Sequence, residues 1–376
     1  MAAKVEPTSS GRERCAVYSD SDQKLEEPMT KNLITRVRAK GDAFSIGCAL
    51  GKANATSFLE YRLGTEQFRA LDVRWRGSEY LKNLEAAARA AYPRYMREIE
   101  GIAEGAGKDF ETIFLLNCQT DLQIPEATSA AKAIAGMGCT TVLIPAEGNG
   151  PAVIAHNEDG EPESLGANFW VEIVPNEGPA WSSFMTAGML PGGTFGLNET
   201  GLVQTINEIT PNDQKPGVPR QILCRAILDA KSLEEAVGIL KRGDRSCGFH
   251  HTLGDAKARK VLSVEAPASG CVVVEVAVPR AHANHLLSSE FSELKQTIGA
   301  SSRDRQAAAD RMIAEGALAG GAEAVLFDET TPIFKDWKDS RTLATSIFEL
   351  FPDRIEWRIH AARDERDALS GTMRVV

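Results

Sequence analysis

The chain has 376 residues, 43% hydrophobic and 25% charged, enough to bury the core of one large globular domain or two intimate ones. Its net charge of −10 argues against a basic nucleic-acid footprint and repels anionic membranes at long range. No run reaches the roughly 18 apolar residues of a spanning helix, residues 1–7 lack a signal-peptide core, and seven cysteines without paired spacing point to a reducing compartment, with the cytoplasm as the default.

Residues 1–35 are polar and read as a flexible N-terminal tail that includes Cys15. Residues 57–71 and 80–104 carry apolar side chains at helical spacing, and Pro93 is expected to break or kink the second stretch. Asp109 suits the N-cap of a helix through residues 110–116. A polar, alanine-rich stretch, 126–135, then reads as a linker that delivers the chain to Gly138. Beyond it strands dominate. Residues 141–145 and 152–156 read as two short strands, Pro219 as a first-turn residue of a helix, and Ser232 with Glu235 as a capping box. Residues 261–264 and 271–274 flank a turn, as do 342–350 and 355–359. Antiparallel hairpins covered by helices imply an α+β fold.

Gly138-Cys139-Thr140-Thr141 is the most informative stretch. Cysteine is intrinsically nucleophilic, and an adjacent base activates it. Cutting the bond before Cys139 would give it its own base, an α-amine of pKa roughly 7.7–8.0 against about 8.5 for the thiol, so proton transfer would be nearly balanced. A chain end acting as nucleophile and base is the N-terminal nucleophile variant of the catalytic triad. The competing reading is a small buried structural thiol.

Glu147-Gly148-Asn149-Gly150-Pro151 is dense in turn formers. A hairpin centred near Asn149 is expected to set Cys139 opposite Asp159 and to bring His156-Asn157-Glu158-Asp159 back to the nucleophile. The alternative is that these polar residues only end an exposed strand.

Further segments fall in a telling order: Gly41-Asp42-Ala43-Phe44-Ser45-Ile46-Gly47, then Tyr92-Pro93-Arg94-Tyr95 with Glu98 to Ala106, Gly138-Cys139-Thr140-Thr141, Gly196-Leu197-Asn198-Glu199-Thr200-Gly201-Leu202, Gly217-Val218-Pro219, His282-Ala283-Asn284-His285 and Ser340-Arg341. On these motifs the chain resembles, over roughly residues 40–376, the acyl-coenzyme A:isopenicillin N acyltransferase-like family of cysteine N-terminal nucleophile hydrolases. It departs from the family's pattern at Gln119, where an arginine is usual, and at Glu158, where an aromatic residue is usual.

The resemblance implies a four-layer αββα sandwich. It also implies self-cleavage between Gly138 and Cys139 into a helical segment, 36–138, and a catalytic segment, 139–376, which stay together as one intimate domain. In this reading Cys139 is the nucleophile, Asp159 holds its amine, Asn284 donates to the oxyanion, and Arg341 pairs with Asp159 or with a substrate carboxylate. Ser340, His156, Glu158 and Asn207 are supporting neighbours. The leading expectation is hydrolysis of a small N-acyl or N-aminoacyl amide through a thioester. Alternatives are acyl transfer to an amine or to the coenzyme A thiol, a non-catalytic ligand-binding descendant, and a metal-dependent hydrolase. The sequence holds neither a His-Glu-x-x-His helix nor cysteine pairs at zinc spacing, so the histidines read as structural or supporting, and neither metal nor cofactor is required. The expected partner is the small-molecule substrate, without nucleic acid or membrane, and the expected assembly is the cut heterodimer, with or without further self-association.

Overall fold

The computed structural model describes residues 33–122, 138–331, 333–361 and 369–376. Residues 1–32, Cys15 and the stretch 126–135 lie outside the described residues. Among the described residues six helices follow the first strand: Ala43–Asn54, Ser57–Gly64, Glu66–Trp75, Glu79–Ala91, Pro93–Ala106 and Phe110–Asn117. Pro93 does break the long apolar pattern, sitting at the first position of its helix where a missing N–H costs nothing. Asp109 caps as expected, accepting from Thr112 N at 2.9 Å. The pattern of 57–71 is divided instead at Thr65, whose hydroxyl accepts from Phe68 N and starts a new helix.

Helices Ala43–Asn54 and Pro93–Ala106 meet through glycines. A Cβ on Gly101 would lie 2.2 Å from the Phe44 carbonyl oxygen, and one on Gly47 would lie 2.1 Å from that of Glu98. Only hydrogen side chains allow backbones this close, which gives the Gly41–Gly47 and Glu98–Ala106 segments a packing role. The buried pair Glu98–Arg225, at 2.9 Å, ties this helical layer to helix Arg220–Leu228.

In chain order the described strands are β1 (Ile34–Gly41), β2 (Gly138–Ile144), β3 (Ala152–Gly160), β4 (Asn168–Pro175), β5 (Trp181–Thr186), β6 (Phe195–Asn198), β7 (Leu202–Glu208), β8 (Phe249–Asp255), β9 (Lys260–Ala266), β10 (Val272–Glu275), β11 (Arg280–His282), β12 (Arg341–Phe351), β13 (Arg354–His360) and β14 (Leu369–Arg374). They form a sheet in the order β1-β4-β5-β6-β7-β8-β9-β10 and another in the order β11-β2-β3-β12-β13-β14. The fold is thus mixed, two sheets with helices. Ile34 and Thr35, expected in the tail, already pair with Asn168 and Phe169.

Alternation along the strands sends their apolar side chains to separate cores. Phe169, Val171, Ile173 and Trp181 pack with the helices of residues 43–117 and 220–228. Trp170, Phe184, Phe195, Leu143, Ile154 and Phe348 join the two sheets to each other. Val142, Ala155 and Ile347 pack with helices Ala300–Ala314 and Glu323–Leu326. Pro219 stands just before helix Arg220–Leu228, at its N-cap. Ser232 caps the next helix through Glu235 N, although Glu235 Oε2 accepts from Lys231 N, one residue earlier than a capping box requires. Among the described residues no helix is long and apolar enough to cross a membrane.

Candidate active site

The hairpin predicted around Asn149 forms, but its register differs by one. Cys139 pairs with Glu158, and Gly138 pairs with Asp159. The turn explains the shift: Gly150 N donates to Glu147 O at 2.8 Å, which centres the hairpin between Gly148 and Asn149, and Gly148 supplies a φ of +52°. Because side chains alternate, one step moves a residue to the other face of the sheet.

Two faces of the β2–β3 ladder therefore carry different chemistry. Toward the other sheet point Cys139, Thr141, His156 and Glu158. Cys139 is 7% exposed, and its Sγ lies 3.3 Å from Glu158 Oε2. His156 Nε2 lies 3.4 Å from the same oxygen. Thr141 reaches across to β7, with its hydroxyl 2.8 Å from Asn207 Oδ1 and 2.8 Å from His156 Nδ1.

That chain of bonds fixes the histidine tautomer. Asn207 Nδ2 donates to the His282 carbonyl, so its Oδ1 is the acceptor that faces Thr141 and His250. Thr141 spends its only proton on Asn207 and must accept from His156 Nδ1–H. The free lone pair of His156 is then on Nε2, directed at Glu158. Burial holds the imidazole neutral, its pKa lowered to about 3. Burial also raises Glu158 to about 8, with Asp159 and Glu208 adding to the effect. The Cys139 thiol is pushed well above its usual value by burial and then by Glu158 and Asp159.

On the helix-facing side lie Gly138, Thr140, Asn157 and Asp159. Asp159 pairs with Lys335 Nζ at 3.2 Å and accepts from the Thr342 hydroxyl at 2.7 Å. Arg305, on helix Ala300–Ala314, donates to the Cys139 carbonyl at 2.5 Å, to Thr140 Oγ1 at 2.8 Å and to Asn284 Oδ1 at 2.7 Å. A Cβ on Gly138 would lie 2.6 Å from Arg305 Nη2 and 3.2 Å from Lys335 Nζ, so two buried cations press on the residue before the cysteine. Burial lowers the pKa of both cations, opposed by Asp159.

Asn284 follows β11, and the β11–β2 register carried two residues on sets it opposite Cys139. Its Oδ1 accepts from Cys139 N at 2.8 Å, while its Nδ2 donates to the Glu208 carbonyl at 3.0 Å. It therefore holds the cysteine nitrogen as an acceptor rather than offering a donor to it.

Of the two partners expected for Arg341, Asp159 is held elsewhere, and a substrate carboxylate stays open. Arg341 pairs with Asp336 at 2.8 Å and keeps 41% side-chain exposure, while Asp159 pairs with Lys335. Arg341 stands opposite Gly160, one step beyond Asp159, just before a register shift between Thr342 and Ala344. Ser340 is buried beside it. Asn198 is a turn residue, its Oδ1 accepting from Thr200 N and Leu202 N. Arg305 and Lys335 were not among the sequence candidates. The available signal was Ser302, Arg305, Gln306, Ala308 and Ala309, a buried face at helical spacing in which the arginine sits among small residues.

The donor atoms of Cys139, His156 and Glu158 lie within 4.8 Å of one another and form a group able to hold a metal ion. The ladder thus offers a thiol beside a carboxylate, a neutral imidazole behind it, and a peptide bond flanked by cations.

The sequence pattern of the acyl-coenzyme A:6-aminopenicillanic acid acyl-transferase family matches residues 146–364, more than half of the chain, beginning just after Cys139. The chain is 28% identical over 179 residues to a β-alanyl-dopamine/carcinine hydrolase of Drosophila melanogaster, covering 44% of this chain and 45% of the relative. It is 28% identical over 214 residues to an acyl-coenzyme A:6-aminopenicillanic-acid-acyltransferase 40 kDa form of Emericella nidulans, covering 56% of each. The chain spans about half the length of the curated relatives it matches.

Proposed function

The chain belongs to the acyl-coenzyme A:6-aminopenicillanic acid acyl-transferase family, and we propose that it is a self-processing cysteine amidohydrolase of the N-terminal nucleophile class, built as a four-layer αββα sandwich. The observation that carries this reading is the setting of one peptide bond. Gly138–Cys139 opens β2 with a carboxylate 3.3 Å from the thiol on one side and two cations against Gly138 on the other.

In the first event the Glu158 carboxylate takes the Sγ proton, and the thiolate attacks the Gly138 carbonyl carbon. A C–S bond forms, the C–N bond breaks as a proton passes to the Cys139 nitrogen, and water hydrolyses the thioester. Arg305 and Lys335 supply the positive field for the developing oxyanion, the kind of contribution that preorganised charge makes in a dry site. Segments 36–138 and 139–376 remain one domain, because helices 43–117 share a core with β4 and β5.

The freed Cys139 amine keeps Asn284 Oδ1 as its acceptor and becomes the base for turnover. The thiol then attacks the carbonyl of a small N-acyl or N-aminoacyl amide. The amine leaves with a proton, and water releases the acid from the thioester. The name of the insect relative supports hydrolysis. That of the fungal relative supports a second reading, transfer of the acyl group to an amine or thiol. Among the described residues no disulfide joins the cysteines, which suits a reducing, cytoplasmic setting.

Incubation with acyl-amide substrates, with and without an added amine or thiol, separates the two readings. Free acid alone supports hydrolysis, and an acyl–acceptor conjugate formed at its expense supports transfer. Neither product, with no acyl mass trapped on Cys139, would overturn the amidase reading.

A further inference from the structure

Three donor atoms converge in front of Cys139. Sγ is 3.3 Å and His156 Nε2 is 3.4 Å from Glu158 Oε2, and all three atoms lie within 4.8 Å of one another. Tetrahedral zinc, with bonds of about 2.3 Å to sulfur and about 2.0–2.2 Å to nitrogen and oxygen, sets its ligands roughly 3.3–3.6 Å apart. The Sγ–Oε2 and Nε2–Oε2 spacings fall within that range, and the remaining pair lies within 4.8 Å.

The rest of the arrangement fits a metal equally well. A ligating histidine needs a free lone pair on one ring nitrogen and a hydrogen bond from the other, and partners of this second kind orient the ring. His156 has both: Nε2 is free of a proton, and Nδ1–H is anchored through Thr141 and Asn207 to the His282 carbonyl. All three ligands stand on the paired strands β2 and β3, with His156 fully buried, so little ordering is left to be done on binding. The Glu158 side chain keeps 21% exposure, so the group is not wholly closed off from solvent. Thiolate, imidazole and carboxylate together suit zinc-like ions and not magnesium or calcium, which favour all-oxygen sets.

We propose that Cys139, His156 and Glu158 form a binding site for a zinc-type divalent cation, which silences the nucleophile by occupying its sulfur. Binding displaces the thiol proton to solvent and forms a metal–sulfur bond, so the lone pair needed for attack is no longer available. The site itself stands on geometry alone. Its consequence, arrest of self-cleavage and turnover, rests on the function proposed above.

The test uses the full chain, reduced and stripped with chelator. Cobalt is titrated as a spectroscopic probe and zinc by calorimetry, in wild type, Cys139→Ala, His156→Gln and Glu158→Gln. The expected result is one ion per chain with a thiolate-to-cobalt charge-transfer band that vanishes in Cys139→Ala. His156→Gln and Glu158→Gln should each weaken binding by at least about tenfold. In wild type, where no variant can misfold, zinc should protect Cys139 from alkylation in peptide maps. A band that survives in Cys139→Ala, unchanged affinity in both other variants, or unprotected Cys139 at saturating zinc would overturn the site. These readouts do not require cleavage. A chain that binds zinc without cutting itself would fault the proposed function and leave the site standing.

Discussion

Cys139 and Glu158 face each other across the β2–β3 ladder, with Sγ 3.3 Å from Oε2. In the uncut chain the Cys139 nitrogen is a peptide N–H held by Asn284, so the cysteine has no amine of its own to serve as base. The carboxylate is the base in reach.

Glu158→Gln keeps the shape of the side chain and removes the proton acceptor. Self-cleavage should slow by about 10²–10⁴-fold, the usual contribution of a positioned general base. Burial raises Glu158 to about 8, and the group acts only when deprotonated. The cleavage rate of chelator-treated wild type should therefore rise with pH through that value, and this step should be missing from the variant. Gel or mass time courses across pH check both; equal profiles would remove Glu158 from the mechanism.

Gly138→Ala probes the opposite side of the same bond. The added Cβ would fall 2.6 Å from Arg305 Nη2, whose guanidinium also holds Cys139 O and Asn284 Oδ1. Either the cation or the peptide must shift, and misplacement on the order of 1 Å costs about 10²-fold in rate. Cleavage time courses on protein of verified fold would show it, whereas wild-type kinetics would mean that the cations do not matter to the cut.

How far the site was legible follows from these two faces. Turn formers at 147–151 placed the hairpin, but not whether its centre fell on Asn149 or half a residue before it. That half residue decides whether Asp159 or Glu158 meets the thiol. Pro93 and Asp109 acted locally and were readable. Arg305 and Lys335 were not, because a buried cation looks in sequence like a surface one until its acceptors are known, and those acceptors come from strands more than a hundred residues away. The helix Ala43–Asn54 lies in a segment noted only as a motif, and its glycines serve packing, not chemistry.

Lys335→Met and Arg341→Ala should behave oppositely. Removing Lys335 takes its ion-pair partner from the buried Asp159 carboxylate, leaving the Thr342 hydrogen bond and the charge of Arg305 nearby, and should cost about 3 kcal/mol. Arg341 and Asp336 are a solvent-exposed pair, worth less than about 1 kcal/mol. Urea unfolding of both variants measures the difference. A larger loss for Arg341→Ala would contradict the assignment of Lys335 as the partner of Asp159.

The glycine contact between helices predicts a similar contrast. Gly101→Ala would drive a methyl group to 2.2 Å from the Phe44 carbonyl, overpacking that should cost about 1–3 kcal/mol or more. Gly238, in helix Leu233–Leu240, has nothing within 4 Å of its Cβ position, and Gly238→Ala should stabilise by about 0.5–1 kcal/mol. Thermal melts of the pair would report it, and a neutral Gly101→Ala would refute the close approach.

Self-cleavage before Cys139 underlies every step proposed for this chain. Intact-mass analysis and N-terminal sequencing of purified protein, wild type beside Cys139→Ala, test it directly. Self-cleavage should give fragments 1–138 and 139–376 in the wild type, the second beginning at Cys139, and one chain in the variant. A single uncut chain in both would contradict it.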